Sequence, residues 1–492
     1  MTILAVLVAA FPLSGSLAAL VTPRARPAGW AALAGGTLAL AGATLLAVHV
    51  LGGPPVRTLH DFVYVDGLGG FFLVTVALVI FLASLGSAAY LRVEEARGTM
   101  RPRQVRAYFV FFGLFAATML GAVETGNLGL LFVLVEASTL ASVVLVALEG
   151  RPAALAAGWK YVIISSLGIT IALVGTLFVY YAATALPGTP DQHLTWAFLV
   201  RHASQLRVTS LRLGFLLAVV GYGTKVGLAP MHTWLPDAHA EAPGPASALL
   251  SGALLNVAMY AVIRFLAIAD RGLGPAYGSH VLLVFGFLSA LVGALFIVRR
   301  GDFKRLFAYS SVEHMGIIAI GLGFGGVLGL YGALLHTLNH AIGKALLFLS
   351  GGTVVLAYGT RRAERVTGVL ATLPVTGAAL LLGALAIVGS PPFGLFLSEL
   401  TIVRGGLAAA DPALVALLLL LLVIVFVAFM RTVAGMALGP RLAAVVTPYR
   451  GRPAQLTAAL PLALSLLALL VLGLWIPGLV NSLIWQSIRV IR

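Results

Sequence analysis

Apolar residues run along this chain in stretches of about 20 or more, separated by short segments rich in arginine, proline and glycine. Runs of that length with so few charges predict membrane-spanning helices, at 1–22, 28–52, 68–91, 107–123, 127–148, 158–184, 211–230, 245–269, 279–298, 304–323, 326–358, 372–404, 412–437 and 455–480. The expected fold class is therefore an all-α membrane protein of about 14 transmembrane helices. The runs at 326–358 and 372–404 exceed the ~20 residues that a bilayer needs, so they must tilt or break inside it. The first run is apolar from Met1, without a basic leader or a small-residue cleavage site. It reads as the first span, not as a removed signal peptide.

Composition agrees with lipid as the solvent. Hydrophobic residues make up 60% of the chain and charged residues 10%, with a mean hydropathy of +1.06, whereas a soluble domain carries about 25% charge. The net charge of +15 is explained by where the basic residues lie. With the N-terminus outside, the cytoplasmic segments hold 20 of the 31 Lys and Arg: Arg24 and Arg26, Arg92 to Arg106, Arg151 and Lys160, Arg299 to Arg305, Arg361 to Arg365, and Arg431 to Arg452. The outer side, Arg264 included, holds nine. That bias supports fourteen spans with both termini outside, against a basic segment at 185–212 and an acidic one at 231–244. A nucleic-acid role is disfavoured. The absence of cysteine excludes disulfides, thiolate zinc sites, iron–sulfur ligation and covalent haem. No dinucleotide fingerprint or Walker lysine occurs.

Five ionisable residues fall deep in apolar runs: Glu136, Lys225, Glu313, Lys344 and Glu399. Facing lipid, each would cost a few kcal/mol, so they predict helix-joining ion pairs or an ion pathway. Lysine usage favours the pathway. The chain has 27 Arg and four Lys, yet both embedded cations are Lys, a coincidence of roughly 1 in 80 if identities were drawn at random. Desolvated lysine releases its proton and arginine does not. On the run at 326–358, His336, His340 and Lys344 follow at i, i+4 steps on one helix face. Paired histidines of this spacing also ligate zinc or haem, but no HExxH glutamate follows His336. A proton wire ending on an amine fits better, with no metal or cofactor held by this chain.

Two runs carry prolines beside an ionisable group: Lys225 precedes Pro230, and Glu399 follows Pro391 and Pro392. Proline frees carbonyls, and such a break survives in a membrane only against protein or water. If spans 4–8 (107–269) and 9–13 (270–437) form two halves, between 1–106 and 438–492, both broken helices are the fourth of their half. An odd repeat inverts the second half, the architecture of many transporters.

Five segments carry a family resemblance: GLAPMHTWLPDAHAEAPGPASALLSG over 227–252, KYVIISS from Lys160, FKRLFAYSSVEHMG from Phe303, NHAIGKALLFLSGG from Asn339 and GSPPFGLFLSEL from Gly389. Across about residues 60–440 the chain resembles the proton-translocating, antiporter-like subunits of complex I, group 4 membrane-bound hydrogenases and Mrp-type antiporters. The motif around Glu313 is most similar to component F of hydrogenase-4-type complexes. The resemblance implies that Glu136 pairs with Lys225, the switching amine of the first half-channel. It also implies a central relay of His336, His340 and Lys344 with Glu399 at the exit, and adds Lys160, His232 and Glu313 to the translocation residues. Where relatives often carry Lys or His on helix 8, this chain has Ser251 and Asn256. Partners would be other membrane-arm subunits and a peripheral redox arm in a bacterial plasma membrane. An Mrp-type antiporter or an energy-coupled uptake system for a solute such as inorganic carbon is the alternative.

Overall fold

A backbone in hydrocarbon must satisfy its own hydrogen bonds, and helices do this within one segment. The chain accordingly forms helices almost throughout in a computed structural model that describes residues 1–22, 24–58, 61–299, 301–442, 445, 447–449 and 451–492. Arg300 and Arg450, counted above among the cytoplasmic basic residues, lie outside the described residues.

The order is α1 (Thr2–Ala10), α2 (Leu13–Val21), α3 (Ala25–Gly52), β1 (Val56–Thr58), β2 (Val63–Val65), α4 (Gly67–Ala96), α5 (Pro102–Glu124), α6 (Leu128–Val146) and α7 (Pro152–Ala183). There follow α8 (Trp196–Arg201), α9 (Val208–Val226), α10 (Leu235–Glu241), α11 (Gly244–Leu249), α12 (Leu255–Leu273), α13 (Pro275–Ile297), α14 (Phe303–Phe324) and α15 (Gly326–Tyr358). The chain continues through α16 (Val369–Thr372), α17 (Pro374–Ile387), α18 (Gly394–Ala408), α19 (Pro412–Ala437), α20 (Arg452–Leu474) and α21 (Gly478–Ile491). The strands form a small antiparallel hairpin with Arg57 opposite Tyr64.

Among the described residues, 12 helical segments are long and apolar enough to cross a membrane, or 13 if α1 and α2, bent by 47°, count as one. The chain is a multi-pass integral membrane protein. The remaining expected span, 372–404, is two short helices of 14 and 15 residues, α17 and α18, broken at 388–393. Neither reaches full length alone, which is why the fourteenth span is not counted.

Three expectations change. The span at 211–230 does not end there: α9, a 3-10 turn over Met231–Trp234 and α10 make one broken passage over 208–241. The acidic residues that read as a loop, Asp237 and Glu241, end this passage in ion pairs with Lys160, Arg305 and Arg361. Arg264, expected in an outer segment, is buried on α12 in a two-pronged pair with Asp66, 2.7 Å at each contact. Lys304, expected in a cytoplasmic loop, is buried in the first turn of α14 and donates to the carbonyls of Ala240 (3.1 Å) and Ala242 (2.5 Å). There it satisfies orphan acceptors at the end of α10.

The innermost layer is α12, α14 and α15, with α4, α9, α10 and α11 against it. Outer helices such as α7, α13 and α19 turn leucine and valine outward, as surfaces facing lipid or neighbouring subunits do.

A buried polar line and its two lysines

The two helix breaks position the chemistry. After Lys225, α9 stops at Gly227, whose φ of +84° suits glycine. The carbonyl of Thr224 that this stop frees accepts the indole N–H of Trp234 (2.8 Å), and the N–H of Ala229 finds Ser289 Oγ on α13 (2.9 Å). The break is thus held by protein groups. It leaves Lys225 fully buried, its Nζ donating to Tyr161 OH at 2.7 Å and standing 4.5 Å from the centre of that ring. Tyr161 in turn meets Ser142 Oγ at 2.7 Å and packs on Trp234.

Glu136 does not touch Lys225. Half-buried, it accepts from Ser166 (2.5 Å) and Thr139 (3.1 Å). The direct pair implied by the family resemblance is not formed: Lys225 reaches Tyr161 OH and, through it, Ser142 Oγ, while Glu136 is held by Ser166 and Thr139. Lys160 sits on the partly exposed rim of α7, 2.8 Å from Asp237, which also takes Arg305 at 2.8 Å. His232 lies in the 3-10 turn, buried, with Nδ1 unpartnered.

The histidine stripe of α15 faces α14. Lys344 donates to the Phe307 carbonyl (3.1 Å) and to Ser310 Oγ. His340 lies under the ring of His314, centroids 5.5 Å apart, and His336 Nε2 is 2.9 Å from His314 Nδ1. The other nitrogen of His336 meets Ser398 Oγ at 2.9 Å. Glu313 lies beside His314, 3.5 Å between Oε2 and Nε2. Glu399 comes from α18 just past the second break, where Gly389 has φ +70° and any Cβ would collide with the carboxylate. Lys344, His336 and His340 are fully buried, Glu313 and Glu399 nearly so.

Two histidines went unnoticed at the sequence level. His314 follows Glu313 directly, and only its neighbours across α15 reveal its place. His239 is fully buried with both nitrogens unpartnered, stacked on Phe348 at 5.2 Å and 6.4 Å from Trp234. It stands between the Lys225 region and α15, where Ser251 and Asn256, at the start of α12, offer no titratable group. Those two sit at a π-helical turn over Leu250–Leu254, Ser251 bonded to Ser311 at 2.8 Å and Asn256 to Gly252 O at 2.7 Å. At the end of the structure that carries Arg151, burial pushes the Glu149 carboxyl up, partly offset by that arginine.

Buried titratable side chains run from Lys225 on α9 to Glu399 on α18, with the two ends of the row at helix breaks, as suits a membrane ion-translocating subunit. Residues 125–425 match the family described as NADH:quinone oxidoreductase/Mrp antiporter, transmembrane, and the chain belongs to it. It is 38% identical to the hydrogenase-4 component F homolog of Methylacidiphilum infernorum over 358 residues, covering 73% of this chain and 75% of that one. With NADH-quinone oxidoreductase subunit N of Desulforudis audaxviator it shares 32% identity, covering 93% and 91%. Among solved structures it superposes with TM-score 0.86 and 25% identity on a chain of an archaeal respiratory membrane complex, the membrane-bound sulfane sulfur reductase. That match covers 100% of this chain and 98% of the other.

Proposed function

We propose that this chain is the proton-translocating membrane-arm subunit of a multi-subunit respiratory oxidoreductase of the hydrogenase-4 or NADH:quinone oxidoreductase kind. The observation that carries the reading is the state of its two innermost lysines. Lys225 and Lys344 are fully buried, and neither has a carboxylate within ion-pair distance among the described residues. A permanently charged group so placed costs several kcal/mol. An amine that gains and loses its proton carries that cost only in part of a cycle. Helix glue is represented elsewhere, by Asp66 and Arg264.

In this reading Lys225 is the switching amine, modulated by Glu136 through Tyr161 and Ser142. His239 bridges to Lys344, and His340, His336, His314 and Glu399 lead to the second break. Lys160 and His232 serve loading near the first. Glu313 balances charge on the line. The two halves, 107–269 and 270–437, form inverted five-helix repeats of a fourteen-span chain with both termini outside a bacterial plasma membrane. This chain holds no redox cofactor, and electrons move in partner subunits whose rearrangement resets the Glu136–Lys225 coupling.

The test is to capture the native complex on this chain, identify its partners and reconstitute it. Redox subunits that co-purify, with vesicle acidification on adding their electron donor, are expected. The family description also covers Mrp antiporters. Proton movement driven by a sodium gradient alone, with no redox partner, would replace the respiratory reading with that one.

A further inference from the structure

The buried cluster on α14, α15 and α18 has the donor set of a metal site. His314, His336 and Glu399 each bring one ligand atom within 4.8 Å of the other two, and all three side chains are buried. The orientation of the rings is more telling than the distances. His336 is held from behind, its Nδ1 at Ser398 Oγ, so that Nε2 points inward. His314 turns Nδ1 inward, and Glu313 Oε2 stands 3.5 Å from its Nε2, near but not hydrogen-bonded to it. Each imidazole therefore has one nitrogen toward an outer oxygen and the other toward a shared point. Metal-bound histidines are oriented in this way.

The third donor is already waiting. Glu399 Oε1 is buried without a hydrogen-bond partner, as are Glu313 Oε2, His314 Nε2 and both nitrogens of His340. Buried acceptors in such a condition call for an occupant. A first-row divalent ion takes such ligands at about 2.0–2.2 Å, so its ligand atoms lie roughly 3–3.5 Å apart. The inward nitrogens, now 2.9 Å apart around one shared proton, need open by only a few tenths of an ångström. Two neutral imidazoles and a carboxylate leave one positive charge on the ion's complex, and Glu313 beside His314 neutralises it. Imidazole donors select zinc-like ions over magnesium or calcium. The Glu399 carboxylate lies against Gly389 at the second break, two residues before the exposed Pro391 and Pro392.

We infer that His314, His336 and Glu399 form a dissociable site for a zinc-like divalent cation, with His340 or water completing its shell. The ion displaces the proton between the two imidazoles and takes the carboxylate at the end of the buried line. Occupancy and proton passage are then mutually exclusive, a consequence that rests on the translocation reading, whereas the site itself does not.

Cobalt(II) serves as the probe, because its visible spectrum distinguishes four-coordinate protein sites from hydrated ion. The full-length chain in detergent should bind one Co2+ with such a spectrum, released by Zn2+. Glu399→Gln or His314→Gln should weaken binding more than about 100-fold, and Ser398→Ala or Glu313→Gln by about 10–100-fold as outer-shell partners. Replacing the more accessible His49, His202 and His280 together should change nothing. No stoichiometric Co2+ on the wild-type chain would overturn the site. So would binding that survives Glu399→Gln and vanishes in the triple variant. In vesicles of the assembled complex, Zn2+ should halt pumping at the concentration that fills the site. Full occupancy with undiminished pumping would leave the site standing and remove it from the proton line.

Discussion

Two buried cations in this molecule are treated in opposite ways. The guanidinium of Arg264 lies on α12 in a two-pronged pair with Asp66, flanked by the rings of Trp196 at 4.3 Å and Tyr260 at 4.8 Å. Asp66 is itself fixed, since it caps α4 by accepting from Gly69 N–H. Lys225, as deeply buried, has one tyrosine hydroxyl and an aromatic face. A charge that must persist is given a counter-charge, hydrogen bonds and a rigid frame. The partners of Lys225 are neutral and tolerate both protonation states, as the proposed switching role requires. Arg and Lys were placed accordingly, since only lysine can release its proton here.

The largest effect should come from the lysine. Lys225→Ala is expected to cut proton translocation by about 100-fold or more, in the range that loss of a positioned proton-transfer group costs. Lys225→Arg should fail as well, because a fixed charge cannot cycle. Redox-driven acidification of vesicles, normalised to assembled complex, is the readout. Retained pumping in the Arg variant would make the two buried cations alike and end the comparison.

The arginine should show the reverse pattern. Asp66→Asn strands a buried guanidinium, and breaking such a pair costs about 3–5 kcal/mol. Thermal unfolding in detergent should fall sharply, while pumping per assembled complex holds. Lys225→Ala should move stability far less, since no partner is left charged and alone.

A smaller effect lies in the link between Glu136 and Lys225. They make no contact, but Tyr161, bonded to Lys225, also meets Ser142 on α6, the helix that carries Glu136. Tyr161→Phe removes the hydroxyl and keeps the ring. In a double-mutant cycle of Glu136→Gln with Lys225→Ala, the pumping losses should be non-additive by about 0.5–3 kcal/mol when Tyr161 is present. In the Tyr161→Phe background they should become additive. Non-additivity that persists in the Tyr161→Phe background would show that Glu136 reaches the amine without the tyrosine hydroxyl, and additivity in both would show that the two residues are not coupled.

The sequence disclosed the lysines but not their environment. Run length and the rarity of lysine brought out Lys225 and Lys344, and proline placement brought out both breaks. Arg264 escaped because it sits seven residues before the arginine at the end of α12, where an apolar run tapers into charge. Its partner Asp66 is 198 positions away, which no local pattern encodes. His314 and His239 escaped for a related reason. A single histidine in an apolar run has no period, and its meaning comes from the helix packed across from it. The passage over 208–241 was cut short because Asp237 and Glu241 look like a loop until Lys160, Arg305 and Arg361 converge on them.

Lys160 gives the mildest test. Its side chain is 41% exposed and its ammonium lies 2.8 Å from an Asp237 that Arg305 also neutralises. An exposed pair of this kind contributes about 0.2–1 kcal/mol, and removing one cation leaves the aspartate its other. Lys160→Ala should therefore shift thermal stability by less than about 1 kcal/mol. Lys160→Arg should pump as well as the wild type, since on the proposed loading role the cation at the rim only has to hold Asp237 and need not release its proton. Lys160 and Lys225 are thus separated by one substitution: arginine substitutes for the first and fails at the second. Loss of pumping in Lys160→Arg, with stability and assembly intact, would mean that the rim lysine also titrates during turnover. The boundary between fixed and cycling charge would then lie at the rim of α7, not at Lys225.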